Sequence, residues 1–300
     1  MTLRFLAPVA ITDAILVSST RAETDYSAWS GATTYAVGDH CIKTATHRIY
    51  ESVQAANLNH DPATDTTATW WLDIGPTNRW AMFDKTIGTV TSQATPLTVV
   101  LDPGFVGALS VLDVSANTIT VSMTDGPGGA SLYSAAHDMT DTTDILDWWM
   151  YFYAPITPRT TLTIDDLPPC EAGRLTVAIA ATTMASCGTL TVGNLVDVGE
   201  VQAGVRVGII DYSKKTTDDY GVTSVVARSY AKRIEANLIL NNVAIDYVSV
   251  QLAAIRATPV VWVCDDRVDS LTAFGWLRDW DVTIAYPQHS LCHLTIEGLV

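Results

Sequence analysis

Residues 29–75 read WSGATTYAVGDHCIKTATHRIYESVQAANLNHDPATDTTATWWLDIG. Large rings stand at the ends of short alternating runs, at Trp29, Tyr35, Tyr50, Trp70 and Trp71, with turn residues between the runs. No helical period runs through the stretch. Two or three short strands are expected: residues 35–43, residues 48–55 and, after a polar loop, a last strand carrying the tryptophan pair. Gly38-Asp39 marks a turn, because glycine takes positive φ without steric cost and aspartate bonds its own backbone. A unit of about fifty residues buries little surface and must be held by a few large rings. The burial preference of large rings makes a small core of Trp29, Tyr35, Tyr50 and Trp70 one reading of the stretch.

The β pattern continues outward. Residues 78–84 read as a connector and strand. Residues 97–101, 108–114, 118–123, 160–164 and 174–180 read as strands, punctuated by Asp102-Pro103-Gly104, by residues 125–129 and by Leu167-Pro168-Pro169. Turn signals at intervals near ten residues predict a β-sandwich or jelly roll. In strand rhythm this segment resembles the galactose-binding-like sandwiches. From residue 188 alternation continues through 190–198, a strand over 221–229, 232–240 and four runs between 259 and 298. One helix is expected over 246–257, with Asp246 as N-cap, Val248, Leu252 and Ile255 on one face, and Pro259 beyond its end. The fold class is mainly β: a small aromatic β module, a central β-sandwich, and a C-terminal β-sandwich or barrel with one flanking helix. The expected division is an N-terminal arm (1–25), the module (26–78), the central sandwich (79–187) and the C-terminal domain (188–300). The arm holds two apolar runs and must be covered, by its own chain or by a neighbour. As a secretory leader it is interrupted by Pro8 and Asp13 and has only Arg4 as positive charge.

Composition narrows the function. The 300 residues carry a formal charge of −15 with 17 Lys and Arg. That balance disfavours nucleic acid, since phosphate binding needs clustered Lys and Arg and the densest sites are Lys214-Lys215 and Lys232-Arg233. No apolar run is long enough for a membrane span. Few charges among many Thr, Ala and Val suit a β-rich subunit with surface buried against partners. The five cysteines, Cys41, Cys170, Cys187, Cys264 and Cys292, are scattered, so neither a disulfide framework nor a zinc site is expected.

The skeleton Trp29, Tyr35, Gly38-Asp39, Tyr50, Pro62, Trp70-Trp71 and Gly75 resembles the small chitin-binding modules appended to bacterial chitinases and cellulases. The resemblance implies carbohydrate binding by Trp29, Tyr35, Tyr50, Trp70 and Trp71. In those modules a further aromatic follows the second tyrosine and helps form the sugar face. Here Glu51, Ser52, Val53 and Gln54 follow Tyr50, so that face is incomplete. The C-terminal stretch is similar to tail-tip proteins of long-tailed bacteriophages. The residues that carry this are 208–215 (GIIDYSKK), Tyr220-Gly221, Arg228, Arg256-Ala257-Thr258-Pro259, Phe274-Gly275-Trp276 and 294–299 (LTIEGL). The resemblance implies a virion structural protein of the distal tail or baseplate, assembled in the host cytoplasm. Its implied partners are further copies in a ring, a hexamer or trimer, then tube, hub, tape measure or fibre proteins, and host-surface glycan. It implies no enzymatic activity, cofactor or metal. The alternative is a secreted glycan-binding adhesin, or a glycan-active enzyme with such a module. The enzyme needs a facing pair of acids, and Asp73 is the one acid beside the tryptophan pair.

Three further groups have two readings each. Asp138, Asp141, Asp144 and Asp147 are spaced by three in a Thr-rich loop, which suits oxygen ligands round a calcium ion, or a solvated loop capping a short helical turn before Trp148. The glycine and terminal glutamate of an EF-hand are missing. His289 and His293 flank Cys292 and would share a strand face, without a visible third metal ligand. Residues 148–153 (WWMYFY) read as a strand with rings on both faces, either core or a surface for a partner or sugar.

Overall fold

A computed structural model describes residues 2–299 except 87, 142–144, 156, 218, 222, 265–270 and 285. The chain is mainly β. Six strands close a barrel in the order Met184–Val201, Thr2–Pro8, Val260–Val263, Thr272–Thr283, His289–Gly298 and Tyr230–Asn241. The pairs Glu200↔Ile239 and Val201↔Leu238 complete the ring, and every pairing in it is antiparallel. Closure removes the free edges that a flat sheet would expose. Alternation fills the interior: Ile234, Ala236, Leu238 and Leu240 point in from one strand, and Cys292, Leu294 and Ile296 from its neighbour. Trp262 is fully buried there. Its ring lies 5.4 Å from Phe5, and its indole N–H donates to the Gly275 carbonyl at 3.2 Å.

The helix Ile245–Ala254 packs Val248 and Leu252, with Ile255 just beyond its end, against this interior. The apolar face expected from the sequence is the face that is buried. The start differs. Asp246 lies in the first turn, and the chain enters through a 3-10 turn, Asn242–Ala244, capped by the Asn241 side chain. Two of the four runs expected between residues 259 and 298 are one strand, Thr272–Thr283. A bulge between Leu277 and Asp279 absorbs the break in alternation.

The sandwich has one sheet of Ser131–Asp138, Thr118–Asp125, Gly173–Ala180, Leu97–Leu101 and Leu16–Ser19. Ile119, Val121, Met123, Leu175, Val177 and Ile179 alternate into its core. They meet Leu109, Val111, Leu162, Ile164 and Leu190 from the facing strands Ala108–Ser115, Thr161–Ile164 and Met184–Val201. Arg174 donates two bonds to the Asp102 carboxylate, at 2.8 and 2.6 Å, tying the ends of adjacent strands. That bond to Arg174 holds the Asp102 carboxyl below its usual pKa.

Two features change the expected division. Residues 1–25 do not form a separate arm: Thr2–Pro8 is a barrel strand and Leu16–Ser19 a sandwich strand. The expected boundary at 187/188 falls inside one 18-residue strand, Met184–Val201. Its first half pairs with Thr91–Ala94 and Ala108–Ser115 of the sandwich, and its second half with Thr2–Pro8 and Tyr230–Asn241 of the barrel. Gly193 stands at the crossover, in register with Pro8 on one side and Ala108 on the other. A Cβ at that position would overlap the Ala7 carbonyl oxygen.

Candidate functional site

The module is built from the sheet His40–Lys43, Arg48–Ser52 and Trp71–Pro76, with the small pair Thr34–Tyr35 and Asn57–Leu58. Tyr35, Cys41, Tyr50 and Trp71 form its core, and Trp29 and Trp70 pack against it half-buried. Trp71 is 1% exposed, donates its indole N–H to the His60 carbonyl at 2.8 Å and meets Tyr35 edge-on at 4.9 Å. The Tyr35 hydroxyl accepts from the Ser30 amide at 2.8 Å, and the Tyr50 hydroxyl lies 3.2 Å from Thr46 Oγ1.

The sugar-stacking role is therefore corrected for Tyr35, Tyr50 and Trp71: their rings are the hydrophobic core of a unit too small to have another. The remaining two each have a partner on the ring. His60 stacks on Trp70 at 3.7 Å, and the Lys43 ammonium sits 4.2 Å from the Trp29 ring centre while also binding Asp61 at 2.7 Å. Trp29 and Trp70 alone keep partly exposed rings.

Asp65 fixes the tryptophan pair. Its carboxylate accepts from the amides of Trp70 at 2.6 Å, Trp71 at 2.9 Å and Thr69 at 3.1 Å. Desolvation pushes its pKa up, but these amides, with the Thr67 hydroxyl, outweigh it and hold the carboxyl below its ordinary value. A depressed folded pKa means that the stabilisation is complete above the ordinary carboxylate range, about pH 4, and is lost as pH falls through the lower folded value. Asp65→Ala is expected to cost the module about 2 kcal/mol at neutral pH, after allowance for solvent screening. It is also expected to abolish the acid-induced step. Thermal melts and an acid titration read by tryptophan fluorescence check both.

The module is seated on the rest of the chain through His47. Its ring stacks on Trp80 at 4.0 Å and bridges Asp13 and Glu23, each at 3.2 Å. Glu23 in turn accepts from the Thr77 hydroxyl at 3.0 Å, and Asp25 from the Asn78 amide at 2.9 Å.

The other sequence candidates are spread apart. Asp138 accepts from the Thr140 amide at 3.0 Å and Asp147 from the Met150 amide at 2.7 Å, so both serve backbone turns. Asp141 lies in the short pair Thr140–Asp141 with Thr157–Pro158, and Asp144 falls outside the described residues. His289 stacks on Tyr286, while His293 bonds Asn237 at 3.0 Å. Among the described residues no group of three or more His, Cys, Asp or Glu is placed to hold a metal. None of the five cysteines is joined in a disulfide. Burial pushes Cys41 and Cys292 up to about 11 and raises Cys187 as well, which suppresses the reactive thiolate. No helix among the described residues is long and apolar enough to cross a membrane.

Two exposed surfaces were not read correctly from sequence. Residues 148–153 are a six-residue α-helix, not a strand, and none of its side chains is buried. Asp147 caps it, as one reading of the acidic loop had it. The other is a ribbon. Arg206–Asp211 pairs with the start of Tyr230–Asn241 at the end of the large sheet, then Lys214–Thr217 pairs with Thr223–Val226 beyond it. Val207, Ile209, Val225, Val226 and Tyr230 are exposed along it. The strand Arg206–Asp211 was not among those expected from the sequence, and its Val207 and Ile209 stay exposed among the described residues. No family model matches the chain, and no curated protein matches it in sequence.

Proposed function

We propose that the chain is a virion structural protein of a phage tail tip or baseplate that assembles with its own copies into a ring. The observation that carries the reading is the ribbon. A two-stranded ribbon is marginal alone in water. This one presents apolar side chains to solvent and has the free edge of Arg206–Asp211 beside it. Such an edge is completed by strand addition from another chain. When the donor and acceptor surfaces differ, head-to-tail addition closes into a ring if the rotation allows. The closed barrel behind the ribbon gives each subunit a rigid body. Residues 208–215 and the following stretch, which resemble tail-tip proteins, belong to the same segment, and this supports the reading. Other tail proteins, tube, hub, tape measure or fibre, would meet the faces of that ring. Glycan contact is confined to Trp29 and Trp70, and ring assembly does not depend on it.

The test is the mass of the purified chain by light scattering, with negative-stain images of the particles. A closed oligomer is expected, and Ile209→Lys with Val225→Lys is expected to shift it to monomer with the melting temperature nearly unchanged. A strict monomer at working concentrations, or an oligomer indifferent to the double change, would sink the reading.

A further inference from the structure

The helix Trp148–Tyr153 and the residues before it form an apolar knob on the sandwich. Trp148 is 77% exposed and Trp149 67%, and Leu146, Tyr151, Phe152 and Tyr153 are exposed with them. The rings touch one another, Trp148 meeting Tyr151 edge-on at 6.0 Å and Trp149 leaning on Tyr153 at 5.7 Å, and none of the helix's own side chains is buried. The base of the knob is the two-residue ladder of Thr140–Asp141 with Thr157–Pro158.

The arrangement round the helix indicates what covers it. A protein partner in contact with a flat surface covers one face of a helix. Here apolar side chains occupy every face, Met150 holding the side without a ring, and a helix apolar all round needs an apolar surrounding. Its length, about 9 Å at 1.5 Å per residue, falls within the roughly 5–10 Å depth to which interfacial segments enter the headgroup and acyl boundary. The side chains suit that layer: tryptophan and tyrosine join an apolar body to a polar tip and gather at the membrane–water boundary. One backbone group is satisfied at each end of the helix. Asp147 accepts from the Met150 amide at 2.7 Å, and the Ala154 amide donates to the Met150 carbonyl at 2.9 Å.

Charge selects the lipid. Residues 128–158 contain four aspartates and neither lysine nor arginine. A polybasic flank, the usual attraction to anionic lipid, is therefore absent from this segment and replaced by its opposite. We propose that the 145–153 knob inserts into the headgroup layer of a zwitterionic phospholipid bilayer, as a peripheral anchor that does not span it. This surface belongs to the sandwich and stands independently of ring assembly by the barrel ribbon.

The test uses the full chain and phosphatidylcholine vesicles, read by co-sedimentation and by quenching of tryptophan by lipids brominated near the headgroup. Retention with quenching is expected. It is expected to weaken when about a third of the lipid is phosphatidylglycerol, and to recover with salt that screens the aspartates. Trp148→Ser, Trp149→Ser and Phe152→Ser together are expected to lower partitioning on the order of a thousandfold, since each ring withdrawn from water is worth roughly a factor of ten. The melting temperature should not move, because these side chains are not part of the core. Failure of phosphatidylcholine vesicles to retain the wild-type chain overturns the proposal. So does equal retention of the triple variant, or stronger binding to anionic vesicles. A triple variant that loses oligomer mass, with vesicles binding neither protein, overturns it in favour of contact between copies.

Discussion

A chain lacking residues 2–8 does not fold its barrel. Thr2–Pro8 lies between two strands, in register from Glu200 to Gly193 on one side and with residues 261–263 on the other. Removing it leaves two unpaired edges and opens the interior that Leu3 and Phe5 fill. Leu6 points the other way, into a small outer cluster with Ala108, Val261 and Val263. The truncated chain is expected in the insoluble fraction. Phe5→Ala is the graded version: it removes a fully buried ring packed on Trp262 and is expected to cost about 3–5 kcal/mol. Denaturant titration followed by tryptophan fluorescence measures it. A truncated chain that stays soluble and melts like the intact one would show that the strand is dispensable.

Gly193→Ala is expected to weaken both halves of the molecule at once. The added Cβ meets the Ala7 carbonyl, which belongs to backbone and cannot swing aside as a side-chain tip would. Separating those strands disturbs the pairing to Pro8 in the barrel and to Ala108 in the sandwich. The cost is expected at about 3 kcal/mol, the upper end for overpacking. Its signature is a melting transition that shifts as one. If Trp262 in the barrel core and Trp80 at the edge of the sandwich core report separate transitions in the variant, the halves are independent.

The parts of the fold that were legible in the sequence are those set by local alternation. Residues 97–101, 118–123 and 174–180 alternate so regularly that only strands with one buried face fit, and they form the sandwich core. Val248, Leu252 and Ile255 were legible for the same reason at helical spacing. What was hidden depends on distant cover. Five rings in six residues at 148–153 satisfy a buried strand and an exposed helix equally, and only the absence of a facing element separates them. The partner of the N-terminal strand lies near residue 196, and no local pattern names a partner at that distance. In the module, spacing picked the right rings but not their facing. Tyr35, Tyr50 and Trp71 turned inward because, with Cys41, they are the groups that fill the core of so short a stretch.

The strand Met184–Val201 has a mechanical consequence. Sandwich and barrel share one rod of backbone where many proteins place a swivel. A torque applied to the sandwich has no loose joint along this strand in which to dissipate, and it passes into the barrel as added twist. A pull along the rod loads the ladders on its two flanks together, in shear, so the bonds resist as a group and do not peel apart one by one. In an assembly under strain, a displacement sensed at one end of this subunit would be delivered to the other with little slack.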